Sequence, residues 1–135
     1  MRSLSRLTIP FAALILFSSG AAIAEDAPSF LPSKGSEVVI YSHHFKAENF
    51  EEGLKLVEDG FTAAQLKMGQ TRRNYFLVNP STYDVVVVSF FGENESVNEW
   101  HKFMGRLDVL EKLAPMRREP LELERYTLDA ITTTP

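Results

Sequence analysis

The chain has no cysteine in its 135 residues, which excludes a disulfide framework, a thiolate metal site, a thiol nucleophile and a lipidated cysteine anchor. Positive charge is also scarce: 14 Lys and Arg face 18 Asp and Glu, for a formal net charge of −4. That balance excludes affinity built on neutralising nucleic-acid phosphates, which requires a clustered basic surface. The apolar run from Ile9 to Phe17 is broken by Pro10 and falls short of the roughly 20 residues that span a bilayer, so no stable membrane anchor is expected. There is no phosphate-binding glycine loop, serine-hydrolase elbow, zinc-protease helix or calcium loop. What remains, 44% hydrophobic with ten Phe, suits one folded domain with an apolar core.

Arg2 and Arg6 precede that apolar run, small residues follow from Ser18 to Ala22, and Ala22-Ile23-Ala24 has the form of a signal-peptidase site. The expectation is a signal peptide over residues 1–24, cleaved before Glu25, delivering a periplasmic or secreted protein of net charge −6 once Arg2 and Arg6 are removed. Residues 25–36, with two prolines and a glycine, read as a flexible N-terminal arm. Residues 37–128 form the domain and 129–135 a C-terminal tail.

Glu37 to Phe45 is rich in β-branched and aromatic residues and predicts a first strand. Asn49 with Glu52 offers a capping box for a helix whose Phe50, Leu54, Val57, Phe61, Ala64 and Met68 recur at helical spacing, with Gly69 as its stop. Gly53 and Gly60 fall inside that helix and predict either close approach to the sheet or space for a ligand. Arg72 to Val78 and Asp84 to Phe91 predict a hairpin across Asn79-Pro80-Ser81-Thr82. Ser96 with Glu99 caps a second helix that carries Val97, Trp100, Phe103, Met104, Leu107, Leu110 and Ala114 to a stop at Pro115. A basic connector, Met116 to Pro120, is expected to be solvated, and Leu121 to Leu128 forms a fourth strand.

The order βαββαβ predicts an α+β, ferredoxin-like fold, a four-stranded antiparallel sheet with two helices on one face. The other face would then be bare. Yet Val85 to Phe91 offers apolar side chains to both faces, and strand one does so through Val38 and Ile40 on one side and Val39 and Tyr41 on the other. Covering the bare face with a second copy predicts a homodimer.

The element order, the ending His43-His44-Phe45 and the segment from Val85 to Met104, VVVVSFFGENESVNEWHKFM, resemble the antibiotic-biosynthesis-monooxygenase-like branch of the dimeric α+β barrel superfamily. The resemblance covers about Glu37 to Leu128. It implies a homodimer whose facing sheets close a barrel, holding a small apolar or aromatic ligand between sheet and helices. It also implies that a cofactor-independent monooxygenase acting on an aromatic or quinol-like substrate is one available activity; no cofactor and no metal are called for. Trp100 stands where haem-degrading members carry a tryptophan, but the stretch where they place a ligating histidine is Val109-Leu110-Glu111 here, which argues against haem.

His43 and His44 are the candidate catalytic bases. As neighbours on a strand they point to opposite faces and cannot jointly chelate one ion; either could equally be a hydrogen-bonded core or interface histidine. Trp100, Phe103, Tyr41 and Tyr75 are candidate walls of a ligand pocket or ordinary packing. Arg73 and Asn74 are candidate partners for a ligand anion or carbonyl, with exposed strand-end polarity as the alternative. His101, about 100° around the helix from Trp100, is expected at the surface. The function expected is an exported homodimeric small-molecule-binding protein. A non-catalytic periplasmic interaction or structural module, its interior filled by its own side chains, is the alternative.

Overall fold

Alternating burial sets the geometry. In the computed structural model, which describes residues 31–135, the first strand β1 (Glu37–His44) buries Val39, Tyr41 and His43 on one face. Val38, Ile40, Ser42 and His44 occupy the other, as the period of two requires. The segment expected to be a signal peptide, and the arm up to Phe30, lie outside the described residues. After a short 3-10 turn (Ala47–Asn49) come α1 (Phe50–Met68), β2 (Arg73–Asn79), β3 (Asp84–Phe90), α2 (Val97–Gly105), α3 (Val109–Leu113) and β4 (Glu122–Thr127). The sheet is antiparallel with order β2-β3-β1-β4. The fold is ferredoxin-like.

The core lies between the sheet and α1, α2 and α3. Val39, Tyr41 and His43 of β1, with Val85, Val87 and Ser89 of β3, meet Val57, Phe61 and Ala64 of α1, Val97, Trp100 and Met104 of α2, and Val109 and Leu113 of α3. Val85 and Val87 therefore share the helix-facing side, and the opposite face presents Val86, Val88 and Phe90. Across that open face Tyr75 lies opposite Val88, Leu77 opposite Val86, and Val38 between Phe90 and Tyr126. Tyr75, Leu77 and Tyr126 are all about half exposed, so the face is an apolar surface that nothing among the described residues covers.

α1 enters through the 3-10 turn, so Asn49 makes no side-chain cap, contrary to the capping box read from the sequence. Gly69 ends the helix at φ 68°, the left-handed conformation glycine tolerates. A side chain on Gly53 would meet the Phe45 ring at 2.5 Å, and one on Gly60 would meet Val109 Cγ2 at 2.7 Å. Both glycines are thus seats for close packing. Ser96 caps α2 by accepting from the Glu99 N–H. The long second helix expected from the apolar stripe is broken between Gly105 and Val109. The break rotates the stripe, so Val109 and Leu113 turn inward and Val109 can rest on Gly60.

The connector before β4 is also more engaged than its composition predicts. Arg118 N–H donates to His44 O at 2.8 Å, its guanidinium reaches Phe45 O and Asp84 Oδ1 (2.6 and 2.8 Å), and Arg117 lies against His43. Arg118 thus serves the backbone where β1 leaves the sheet, a role that charge alone does not announce. Among the described residues no helix is long and apolar enough to cross a membrane.

Candidate functional site

Between the sheet and the helices is a partly open cavity of about 140 Å³. Phe61 of α1, Trp100 and Met104 of α2 and Leu110 of α3 wall it on the helix side, and Leu121 and Leu123 close it beside β4. Its polar groups are Tyr41 from β1 and His101 from α2. The break after α2 matters here: it brings Met104 and Leu110, from two separate helices, onto the same cavity.

Tyr41 Oη lies 2.9 Å from His101 Nε2. Burial raises the Tyr41 hydroxyl far above its ordinary value, although the Trp100 indole and the Arg72 and Arg125 charges oppose that shift. Burial lowers the His101 imidazole, assisted by Arg125 and Arg72. At neutral pH the hydroxyl therefore keeps its proton and donates to a neutral imidazole, which places the ring's own N–H on Nδ1. The result is a hydroxyl backed by a base at the edge of an apolar cavity, suited to orienting a ligand oxygen.

Trp100 is buried, stacked with Phe103 (6.4 Å, 27°) and edge-on to Phe61 (6.2 Å, 75°). The Arg72 guanidinium is clamped between the Trp100 and Phe91 rings, 4.0 Å from each centroid. Its Nε lies 3.4 Å from Glu95 Oε1, and Glu95 also accepts from the Gly92 N–H. A desolvated cation between two aromatic faces fixes the indole that walls the cavity.

The sequence candidates distribute unevenly around this geometry. Tyr41 and Trp100 line the cavity, and Phe103 backs Trp100. His43 is on the same strand face as Tyr41, fully buried and stacked on Phe45. Burial first, then Arg117 and His44, lower its imidazole to about 3, so it is neutral. Asn74 spans Gln65 and Ser89 by hydrogen bonds of 2.7 and 2.8 Å, which ties β2 to α1 and β3.

Arg73, Tyr75 and His44 belong to the opposite face of the sheet. His44 is held by Asp84 at Nδ1 (2.8 Å) and by Glu122 at Nε2 (3.0 Å), and the Asp84 hydrogen bond is the main cause of its raised pKa. Partial burial pushes the Asp84 carboxyl up, but hydrogen bonds from Thr82, His44 and Arg118 prevail and hold it at about 2. Among the described residues, His44, Glu119 and Glu122 form the group whose ligating atoms all lie within 4.8 Å of one another; both imidazole nitrogens already face carboxylates.

His101, expected at the surface, is half-buried in the pair with Tyr41. Its helical angle relative to Trp100 was legible. The inclination of α2 over β1, which decides what that angle meets, has no local sequence signal. Leu121 and Leu123 belong to the predicted fourth strand, and their place at the cavity depends on β4 lying at the sheet edge beside β1.

No family model matches the chain, and no curated protein matches it. Similarity is found among solved structures. A dimeric ferredoxin-like protein from an uncultured marine organism superposes with a TM-score of 0.57 at 11% identity, over 76% of this chain and 95% of its own. An uncharacterized NIPSNAP domain protein from Burkholderia xenovorans gives 0.50 at 14% identity, over 73% and 99% respectively. These likenesses establish the ferredoxin-like α+β fold, of the kind found in dimeric proteins; at such identities they carry no activity.

Proposed function

We propose that this protein is an exported homodimer that binds a small molecule containing a single apolar or aromatic ring with one hydroxyl group, held in the cavity between sheet and helices. The observation that carries this reading is the Tyr41–His101 pair at the edge of a cavity of about 140 Å³ with otherwise apolar walls. A dry apolar cavity of roughly 150 Å³ accepts benzene, so the volume matches one ring, and the pair supplies the polar contact that orients it.

Dimerisation is supported by the apolar face that the described residues leave uncovered and by a structural neighbour described as dimeric. Export is supported by the form of residues 1–24; mass spectrometry of exported material should find a chain beginning at Glu25, and an intact Met1 there would refute processing. Cofactor-independent monooxygenation is the catalytic extension of this reading: the phenol itself is the reductant, one atom of dioxygen enters the ring to give the quinone and the other leaves as water. A bound phenol would donate to Tyr41 Oη while Tyr41 donates to His101, giving the ring's proton a path to a base. Oxygen uptake with phenols that bind, lost in His101→Ala, tests that extension separately from binding.

The chain's single tryptophan, Trp100, lines the cavity, so its fluorescence reports occupancy. Phenol and toluene should each change Trp100 emission saturably, with phenol tighter. Absence of saturable binding by either would leave the interaction-module reading in its place.

A further inference from the structure

His43 is a polar residue in a position that packing alone would give to an aliphatic side chain. It is fully buried, stacked on Phe45 at 5.8 Å and edge-on to Phe61 at 6.2 Å. Arg117 Nη2 approaches Nδ1 at 3.4 Å. Since the guanidinium can only donate, Nδ1 is the acceptor and the ring proton sits on Nε2. The depressed pKa of His43 keeps it in that neutral, single-donor form at ordinary pH. Nε2 is buried without a hydrogen-bond partner among the described residues. An orphan buried donor is costly and calls for an occupant or a role.

The position of that donor supplies one. Tyr41 and His43 are successive residues on the helix-facing side of β1, about 7 Å apart along the strand. Phe61 packs against both, at 5.4 Å from Tyr41 and 6.2 Å from His43, and also lines the cavity. Its phenyl ring is therefore the wall shared by the cavity and His43. Turning that ring aside would join His43 to the cavity, with the Tyr41 hydroxyl and the His43 N–H as its polar groups along β1.

We propose that His43 is a second ligand contact of this cavity, reached by rotation of Phe61, and that the ligand is a single ring with a hydroxyl at one end and a hydrogen-bond acceptor such as a carbonyl at the other. This rests on the ligand-binding reading above and specifies its chemistry. Tyr41 and His101 take the hydroxyl, and the His43 Nε2–H donates to the acceptor.

Calorimetric titration with 4-hydroxyacetophenone and 4-ethylphenol, matched in size and differing in the acceptor, tests it. The ketone should bind at least tenfold tighter than the alkylphenol. In His43→Leu that preference should vanish while the 4-ethylphenol affinity stays within about twofold. Equal affinities in the unaltered protein, or a preference that survives His43→Leu, would overturn the proposal while leaving phenol binding intact; if neither probe binds, the ligand-binding reading falls with it. Should His43→Leu fail to fold, Phe61→Ala provides the second measurement. Opening the shared wall should strengthen ketone binding at least threefold relative to 4-ethylphenol, and an equal gain for both would overturn the assignment of His43.

Discussion

Tyr41 and His101 are sixty residues apart in sequence, yet the Tyr41 hydroxyl lies 2.9 Å from His101 Nε2. The contact joins the central part of the sheet to α2 and places the cavity's polar group where its walls converge. Tyr41→Phe removes the donor and leaves His101 half-buried with solvent available, so the stability loss should be about 1 kcal/mol. Affinity for phenol should fall while affinity for toluene is unchanged, as read by Trp100 fluorescence. Equal losses for both ligands would mean that the pair shapes the cavity and does not contact the ligand.

Gly60 and Val109 set how closely α3 approaches α1. A methyl group at position 60 meets Val109 Cγ2 at 2.7 Å, and α3 must move or strain, so Gly60→Ala should destabilise by about 1–3 kcal/mol despite its better helix propensity. Val109→Ala in the same chain should recover part of that loss. Chemical denaturation of the two single variants and the double variant gives the coupling directly.

The buried neutral His43 makes an acid-stability prediction. The unfolded chain takes up a proton near pH 6.5, whereas the folded chain resists until about 3. In that interval the unfolded state binds more protons, so stability falls as pH is lowered from about 6.5 and levels off below about 3, a total of roughly 5 kcal/mol. Asp84, lowered to about 2, adds a loss of the same sign at the acid end. His43→Leu should make the denaturation free energy shallower between about pH 6.5 and 4, leaving the loss of the same sign from His101, whose imidazole burial also lowers; an unchanged slope would show that His43 keeps its ordinary pKa in the folded protein.

The two faces of β3 separate folding from self-association. Val87→Asp places a charge in the fully buried core and should unfold the domain, whereas Val88→Asp places it on the open face beside Tyr75 and Ile40. Sedimentation should find the parent chain as a dimer and Val88→Asp as a folded monomer. A parent chain that stays monomeric at micromolar concentration would remove the dimer.

Much of this architecture was legible because periodicity is local. The alternation in β1 separated Val39 and Tyr41 from Val38 and Ile40, and the spacing of three and four in α1 picked out Val57, Phe61 and Ala64. Both follow from geometry within a few residues. The site was only half legible. Tyr41 and Trp100 line the cavity, but His101, Leu110, Leu121 and Leu123 come to it through the inclination of α2, the break before α3 and the edge position of β4. No short window of sequence encodes those long-range choices. The break itself lies in a stretch whose apolar spacing continues without a gap, and Val109 turns inward because α1 offers a glycine opposite it.

The pairing of β1 with β4 runs from Glu37–Thr127 to Ser42–Glu122, so the earliest strand to leave the ribosome waits for the latest. A nascent chain ending near Pro120 can form the hairpin and seat β1 against β3, but one flank of β1 stays unpaired and the cavity lacks Leu121 and Leu123. That flank is a template for pairing with another chain. Maturation thus hinges on the last strand, and a fusion or proteolytic nick is tolerated past Leu128 but not before Leu121. C-terminally truncated chains should collect as aggregates, while chains shortened only within the exposed tail remain dispersed.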